Sequence, residues 1–262
     1  MYREILTFVI ITTLSSSFVW AQEPIMITSS PFMEEIIFDG KWTHRTEWKA
    51  SSLNTIPENS KTIFLRSAHQ GNFVYFLIDA VFDTNLDKGS DRAIICFDTQ
   101  NDKTEIPDNN DFCFVATLGR NSGSTLQGGS PLIFTSNFKN IKNHDDFIGI
   151  SGYSDENDRY SKTPHASYEF RIPTDLISRS NVYGFYVGVY DYDSGKIYSW
   201  PENIVVEHPL NIPSPSLWGE LVSPDKSLPE FELPILALMP AFLVSFLVKK
   251  YGKAILAKSK IC

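Results

Sequence analysis

Short runs of β-branched and aromatic residues, separated by turn residues, recur along the chain between Thr62 and Trp200. Each run predicts a β-strand. The runs are residues 62–66, 73–79, 93–98, 112–117, 131–135, 147–150, 168–172, 183–190 and 196–200. Residues 193–196 (Asp-Ser-Gly-Lys) fit a hairpin turn, and Leu176-Ile177 suits at most one helical turn. Residues 119–129 are interpreted as a flexible surface loop. About nine strands with no long 3.6-residue apolar period predict an all-β fold, an antiparallel β-sandwich.

The two ends of the chain carry apolar runs of another kind. Residues 1–21 carry a basic residue, Arg3, near their start, continue through an apolar core, and end with Val19 and Ala21 before Gln22. This layout predicts a secretory signal peptide that is cut before Gln22. An uncleaved anchor or a buried first strand is the alternative.

The C-terminal run has no acid or base between Leu233 and Val248, and lysines follow it. A helix over these residues reaches about 24 Å, short of a ~30 Å hydrocarbon core, although lysine stems can extend it. We predict a transmembrane helix at 231–248, with a basic cytoplasmic tail at 249–262. A buried helix of the globular domain is the alternative.

Together the two ends predict that the intervening residues lie outside the cytoplasm, at the cell surface. We expect an N-terminal extension at 22–35, one sandwich domain at 36–222 and a linker at 223–230. Around that linker, Leu228-Pro229-Glu230-Phe231, the apolar run and the lysines resemble the PEF-type C-terminal sorting tails of archaeal surface proteins. The resemblance implies that a membrane sorting enzyme removes the helix and transfers the product to another anchor. A plain transmembrane anchor would look nearly the same.

Charge and motifs exclude several functions. The chain carries −8; its first 21 residues are neutral and residues 229–262 hold five lysines against two glutamates, which leaves −11 for residues 22–228. Such a surface repels phosphate backbones, so nucleic acid is not an expected partner, while cations and neutral ligands are favoured. The five histidines are scattered, and neither His-Glu-x-x-His nor Gly-x-Ser-x-Gly occurs. We therefore expect no enzyme.

Several phrases, in order between residues 36 and 220, resemble family 9 carbohydrate-binding modules and related DOMON-like domains. They are Phe38-Asp39-Gly40-Lys41-Trp42 with Glu47-Trp48, the runs 75–83 and 91–98 that each end in aspartate, 168–173 (Tyr-Glu-Phe-Arg-Ile-Pro), 189–193 (Val-Tyr-Asp-Tyr-Asp) and 199–201 (Ser-Trp-Pro). The resemblance implies a β-sandwich that binds an oligosaccharide or polysaccharide through aromatic faces and often holds structural calcium.

Exposed aromatic rings are the candidates for sugar contact, because the C–H face of a pyranose stacks on such a ring. Trp200 and Trp42 lie near a strand end and a turn, and Tyr192 lies beside a hairpin turn between two aspartates. These three are the predicted carbohydrate-binding residues, each with burial in the core as the alternative. Trp48 is interpreted as a core residue and Trp218 as a cover of the sandwich.

The densest set of hard oxygen ligands lies between residues 98 and 111. Calcium takes six to eight such ligands, and the predicted set is Asp98, Asn101, Asp102, Asp108 and Asp111. The spacing does not match an EF-hand loop. A solvated turn is the alternative, because Asn and Asp favour turns. A second, weaker candidate is the acidic run 155–158.

Two further alternatives concern ligands and thiols. A haem-binding relative would need an axial pair, here Met26 or Met33 with His69 or His165. A structural or adhesive envelope module would need no small ligand. Cys96 and Cys113 are equidistant from the middle of the connection between their strands and face each other in a symmetric hairpin, so they form either a disulfide or two buried free thiols.

Overall fold

The computed structural model describes residues 23–29, 33, 35–58, 61–204, 206 and 211–223. The predicted signal peptide, the predicted transmembrane helix, the basic tail and all but the first residue of the predicted linker lie outside the described residues. Within the described part of the chain, no helix has the length and apolar character needed to cross a bilayer.

The described residues form fourteen strands and one short helix, α1 (Thr174–Ile177). The strands are β1 (Ile25–Met26), β2 (Thr28–Ser29), β3 (Ser52–Glu58), β4 (Lys61–Gln70), β5 (Phe73–Ala80), β6 (Arg92–Asp98), β7 (Asp111–Thr117), β8 (Ser124–Gln127), β9 (Lys139–Ile141), β10 (Ile148–Tyr153), β11 (Ala166–Pro173), β12 (Val182–Asp191), β13 (Lys196–Trp200) and β14 (Gly219–Val222).

These strands form two sheets. The larger sheet has the order β1-β14-β12-β6-β7-β8-β9, with β13 paired to the second half of β12. The smaller sheet has the order β10-β11-β5-β4-β2, with β3 beside β4. Every pair is antiparallel except β1–β14 and β2–β4. The predicted all-β antiparallel sandwich is therefore confirmed for the described residues.

The core between the sheets is aromatic. Phe97 and Phe185 of the larger sheet and Phe76 of the smaller sheet are fully buried. Their ring centroids lie 5.3 to 6.0 Å apart, in edge and offset arrangements. Such pairs contribute about 0.5–1.5 kcal/mol beyond their burial. The inward set on these strands follows the two-residue alternation that the sequence shows.

The outer face of the larger sheet carries the disulfide. Cys96 and Cys113 are direct partners across β6 and β7, with their Cα atoms 4.1 Å apart, and they are bonded. The disulfide alternative is confirmed. Trp218 covers this face, 3% exposed, with its ring stacked 6.4 Å from that of Tyr186. On the smaller sheet, Trp48 is fully buried and donates to Glu169 at 3.1 Å, so both interpretations of these tryptophans are confirmed.

Two local predictions are wrong. Residues 131–135 were expected to form a strand, but Ile133–Thr135 is a 3-10 turn. A hydrogen bond between Ser130 and Asn137 closes the loop, so its apolar residues meet no partner strand. The stretch 119–129 was expected to be a surface loop, yet β8 lies within it and pairs on both sides. Its short, polar run gave little strand signal.

Candidate functional site

Three aspartates converge at the end of the sandwich where β6 begins and β12 ends. Asp91 directly precedes β6, Asp191 ends β12, and Asp83 lies shortly after β5. Antiparallel pairing places Arg92 opposite Tyr190, so the residues that flank this pair also meet. One carboxylate oxygen of each aspartate lies within 4.8 Å of the others. The three residues, called here the acidic cluster, are at most 5% exposed.

The hydrogen bonds of the acidic cluster are incomplete. Asp91 accepts backbone N–H bonds from Asp87 at 2.6 Å and from Tyr192 at 3.0 Å. Among the described residues, neither carboxylate oxygen of Asp83 has a hydrogen-bond partner, and neither has the buried Tyr168 hydroxyl. An unpaired buried polar group costs about 1–3 kcal/mol. The unpaired oxygens are therefore the atoms that a bound cation would stabilise most.

The pKa shifts of these aspartates also favour a bound cation. Burial, reinforced by the charges of Asp91, Asp191 and Asp87, raises the pKa of Asp83 to about 8. Burial also raises the pKa of Asp91. No ion pair between described residues reaches this cluster. Three clustered carboxylates are the hard oxygen ligands that calcium prefers, so these residues fit a calcium ion, whose charge would offset theirs.

A second buried group, called here the histidine cluster, contains Asp79, Asp158 and His165. Nε2 of His165 is hydrogen-bonded to Asp79. Burial acts to lower the pKa of His165, but the hydrogen bond and charge of Asp79 raise it overall. Burial raises the pKa of Asp79 to about 6, against the lowering effect of His165. This cluster therefore contains its own cationic partner.

Together with Ser154, the histidine cluster contains the residue types of a serine–histidine–aspartate catalytic triad. Nδ1 of His165 lies 2.7 Å from Oγ of Ser154 and 2.8 Å from the carbonyl oxygen of Thr163, so a serine, a histidine and an aspartate follow one another. Ser154, His165 and Asp79 are all at most 4% exposed, however. A nucleophile must touch its substrate, so this arrangement is structural.

The predicted calcium loop is organised by turn hydrogen bonds. Asp98 and Asp111 are partners across β6 and β7 and are fully buried. Asp98 accepts backbone N–H bonds from Gln100 at 3.2 Å and Lys103 at 2.9 Å, and Asp111 accepts one from Asp108 at 2.7 Å. The bond from Gln100, two residues after Asp98, is typical of an Asx turn, and the other two bonds close the ends of the same connection.

The remaining ligands of that loop point to different partners. Oδ2 of Asp102 accepts from Asn110 at 3.3 Å, and Asn101 donates to Glu220 at 3.2 Å. Burial and the charge of Asp98 contribute to raising the pKa of Asp111 to about 7. One oxygen of Asp111 and one of Asn101 stay unpaired. Calcium in this loop stays a prediction, but its carboxylates do not converge as those of the acidic cluster do.

The three predicted sugar contacts are placed differently. Trp200 is 5% exposed and its ring packs between Phe185 and Gly219. Trp42 is also 5% exposed, with the guanidinium of Arg66 5.3 Å from its ring centroid. Tyr192 is 57% exposed. Of the three rings, only that of Tyr192 is accessible to a ligand in this conformation.

The residues considered for haem are dispersed. Met33 is buried under the outer face of the smaller sheet with Trp42, whereas Met26 is 52% exposed on β1. His165 has both ring nitrogens engaged in hydrogen bonds, and His69 is 4% exposed within β4. No methionine–histidine pair meets among the described contacts.

A groove opens on the outer face of the larger sheet, next to the acidic cluster. It has a volume of about 90 Å³. Arg92, Tyr190 and Asn211 line it with polar groups, and Ile94 and Ile197 with apolar ones. The Arg92 guanidinium lies 5.7 Å from the ring centroid of Tyr190. The groove therefore combines an aromatic ring, a planar cation and an amide within one small concave surface.

The groove and the acidic cluster share their backbone. Arg92 follows Asp91 and Tyr190 precedes Asp191, and the two groove residues are direct partners across the strands. The backbone N–H of Tyr192 donates to Asp91. A cation that holds both aspartates would therefore fix the two strand ends from which the groove side chains project.

The sequence assigned no role to Asp83, Asp91 or Asp191, although all three lie in the phrases that resemble family 9 modules. They are separated by up to 108 positions. The pairing of β6 with β12 brings Asp91 and Asp191 together, and the packing of the two sheets brings Asp83 to them. The usable signal was that each aspartate stands at the end of a strongly predicted strand.

Comparisons with known proteins give limited matches. No protein-family model and no curated protein matches the chain. Among solved structures, a family 9 carbohydrate-binding module from Caldicellulosiruptor kristjanssonii in complex with cellotriose is 14% identical, with a TM-score of 0.46, over 77% of this chain and 93% of that chain. The same organism's family 9 module in complex with glucose is 14% identical, with a TM-score of 0.42, over 76% and 95%.

Proposed function

We propose that this chain is an exported, membrane-anchored protein that binds carbohydrate without catalysing a reaction. The groove beside Tyr190 is the observation that carries the proposal. A pyranose has a C–H face that stacks on an aromatic ring and hydroxyls that need polar partners. Tyr190 offers the ring, while Arg92 and Asn211 offer hydrogen-bonding groups.

The size of the groove narrows the ligand. Pockets that enclose a drug-sized molecule measure about 300–1,000 Å³, whereas this groove measures about 90 Å³. It therefore suits one face of a single sugar ring, such as that of the terminal unit of an oligosaccharide or polysaccharide, with the rest of the ligand outside the groove. The exposed ring of Tyr192 is close in sequence and offers a further contact for a neighbouring unit.

Calcium in the acidic cluster is the second part of the proposal. Its role would be structural, because Asp83, Asp91 and Asp191 are buried and face away from the ligand. Once the three carboxylates are held, Arg92 and Tyr190 keep the relative position that sugar recognition needs. Loss of the ion would then weaken sugar binding without any contact between ion and sugar.

Export and anchoring rest on the sequence. The signal-like residues 1–21 and the apolar residues 231–248 support them, and so does the disulfide, which is typical of proteins outside the cytoplasm. Whether the anchor is a permanent helix or a PEF-type tail that is cut depends on the processing of residues 228–231.

The test uses the full chain in a detergent without a sugar headgroup. A glycan array identifies the ligand, and calorimetry with that ligand compares the parent with Tyr190→Ala. Loss of one stacking ring costs about 0.5–1.5 kcal/mol, so affinity should fall up to about tenfold. Phe134→Ala is the matched control, because it removes an exposed ring that does not line the groove and should leave affinity unchanged.

Two results would contradict the proposal in separate ways. Retention of no glycan by a folded parent would exclude carbohydrate binding. If sugar binds but a chelator leaves its affinity unchanged, the calcium part fails and the groove stands.

A further inference from the structure

The loop between β8 and β9 holds three apolar side chains out in solvent. Leu132, Ile133 and Phe134 are 47%, 82% and 80% exposed. The sequence carries no charged residue from Asn121 to Phe138. Exposed large apolar residues in a contiguous set mark interaction surfaces, and this set was the segment wrongly predicted as a strand.

The exposure of these residues is built into the loop. The backbone N–H of Ser130 donates to the carbonyl of Asn137 at 2.8 Å, and Asn137 donates back through its side chain at 3.0 Å. Phe138, 2% exposed, anchors the base. Ser136 and Asn137 both have positive φ, 53° and 61°, a costly conformation for residues other than glycine. The stem is therefore fixed while its tip stays exposed.

Two neighbouring loops add to the same surface. Ile106 is 66% exposed and Leu217 is 51% exposed. Hydrogen bonds join the three loops: Gly129 to Pro107 at 2.9 Å, Ser216 to Thr104 at 3.1 Å, and Ile212 to Ser136 at 3.1 Å. We call Ile106, Leu132, Ile133, Phe134 and Leu217 the apolar tip.

The chain leaves the sandwich at the end that carries the loop containing Ile106. Register places Gly184 opposite Asp98, which is opposite Asp111, so the start of β12 and the connection between β6 and β7 share one end. Ser223, the last described residue of the chain, donates to Asn181 at that end. The apolar run 231–248 begins eight residues later, and eight extended residues span at most about 29 Å.

We propose that the apolar tip inserts into the interface of the bilayer that anchors the chain, which makes this proposal depend on the anchor in the proposed function. Apolar side chains at an interface bury to about 5–10 Å. Lys139, the first residue of β9 after the loop, is exposed, as is typical at a membrane edge. Glu105 lies beside the tip and bonds to Ser216 at 3.0 Å, so a zwitterionic surface fits better than an anionic one.

This contact would orient the molecule. Tyr192 and the acidic cluster lie at the opposite end of β6 from Asp98, and a seven-residue strand separates the two ends by about 20 Å. With the apolar tip in the bilayer, the hairpin of Tyr192 and the adjoining end of the groove face away from the membrane. The surface contact would thus hold the sugar site towards the surrounding solution.

The test reconstitutes the full chain in phosphatidylcholine vesicles, with or without brominated acyl chains that quench tryptophan. Phe134→Trp places a reporter on the apolar tip, and Tyr192→Trp places a matched reporter at the opposite end. The parent tryptophan emission is subtracted. We expect brominated lipid to remove most of the added emission of Phe134→Trp and none of that of Tyr192→Trp. Amide exchange of residues 130–138 should slow on reconstitution.

The outcomes separate this proposal from the anchor. Vesicle flotation of the chain without selective quenching of Phe134→Trp would overturn the insertion and leave the anchor intact. Failure to float would overturn both. If residues 130–138 are instead protected in a self-associated chain in detergent, the apolar tip is a protein interface and the lipid proposal is wrong.

Discussion

The acidic cluster and the histidine cluster each bury three titratable side chains, but they differ in how the buried negative charge is balanced. In the histidine cluster, His165 is hydrogen-bonded to Asp79 and brings positive charge into the group. In the acidic cluster, neither oxygen of Asp83 has a hydrogen-bond partner among the described residues, and the charges that act on it most strongly are those of Asp91, Asp191 and Asp87. Both are at most 5% exposed, so burial does not distinguish them.

The difference shows where an external ion is needed. A buried charge without a partner costs several kcal/mol, so it either takes up a proton or acquires a counter-ion. The histidine cluster solves this with its own imidazole. In the acidic cluster, the raised pKa of Asp83 means that this carboxylate can take up a proton. A bound calcium ion is the alternative to that proton. The net charge of the chain could not show which cluster needs an external ion, because that need depends on which side chains lie next to one another in the fold.

The largest effect is expected at the histidine cluster. His165→Ala removes the cationic partner and leaves Asp79 buried beside Asp158, which should lower the free energy of unfolding by about 3–5 kcal/mol. Denaturant titration measures it. His144→Ala is the matched control, since His144 bonds to the exposed Asp175 at 3.2 Å and should cost at most about 1 kcal/mol. Equal losses in the two variants would show that His165 has no special electrostatic role.

The next effect concerns calcium at the acidic cluster. Calcium at a hundredfold excess over its Kd should stabilise the parent by about 2.7 kcal/mol, seen as a rise in Tm. Asp83→Asn should remove most of this rise, because it takes away the carboxylate whose two oxygens are unpaired. Asp158→Asn, in the histidine cluster, should retain it.

The same calcium titration discriminates between the acidic cluster and the loop predicted from sequence. Asp111→Asn should leave the rise in Tm unchanged. If Asp111→Asn abolishes the rise and Asp83→Asn does not, calcium binds between residues 98 and 111 and not at the acidic cluster.

Most of the fold could be predicted from the sequence, because the long strands consist of runs rich in β-branched and aromatic residues. β5, β6, β7, β11 and β12 were all expected within a few residues. The facing of Cys96 and Cys113 also followed from symmetry about their connection. The short strands β1, β2, β8, β9 and β14 were missed, because two to four residues carry too little pattern. The seven-residue β3 was missed as well, because polar residues and Pro57 interrupt its apolar positions.

The site was harder, for two physical reasons. The acidic residues that are closest in sequence, between 98 and 111, use their carboxylates to cap turns, whereas those that converge are far apart in the chain. Aromatic exposure also depends on what covers a strand end: Gly219 lets Trp200 pack inward, and only the folded chain shows this contact. Tyr192, at a hairpin turn, was the easier case because turns stay exposed.

The smallest expected effect is the pH dependence of the calcium-free protein. The pKa of Asp83 is about 8 in the fold and about 3.9 when unfolded, so the folded state binds more protons between these values and stability falls as pH rises. From pH 7 to pH 8 the parent should lose at most about 1 kcal/mol more than Asp83→Asn. Asp79, Asp111 and His165 change stability in the same direction, and the difference between parent and variant cancels their contribution.

Because calcium displaces the proton, saturating calcium should abolish this difference. A pH slope that is the same in parent and variant without calcium would mean that Asp83 is already charged and paired, and the contrast between the two clusters would disappear.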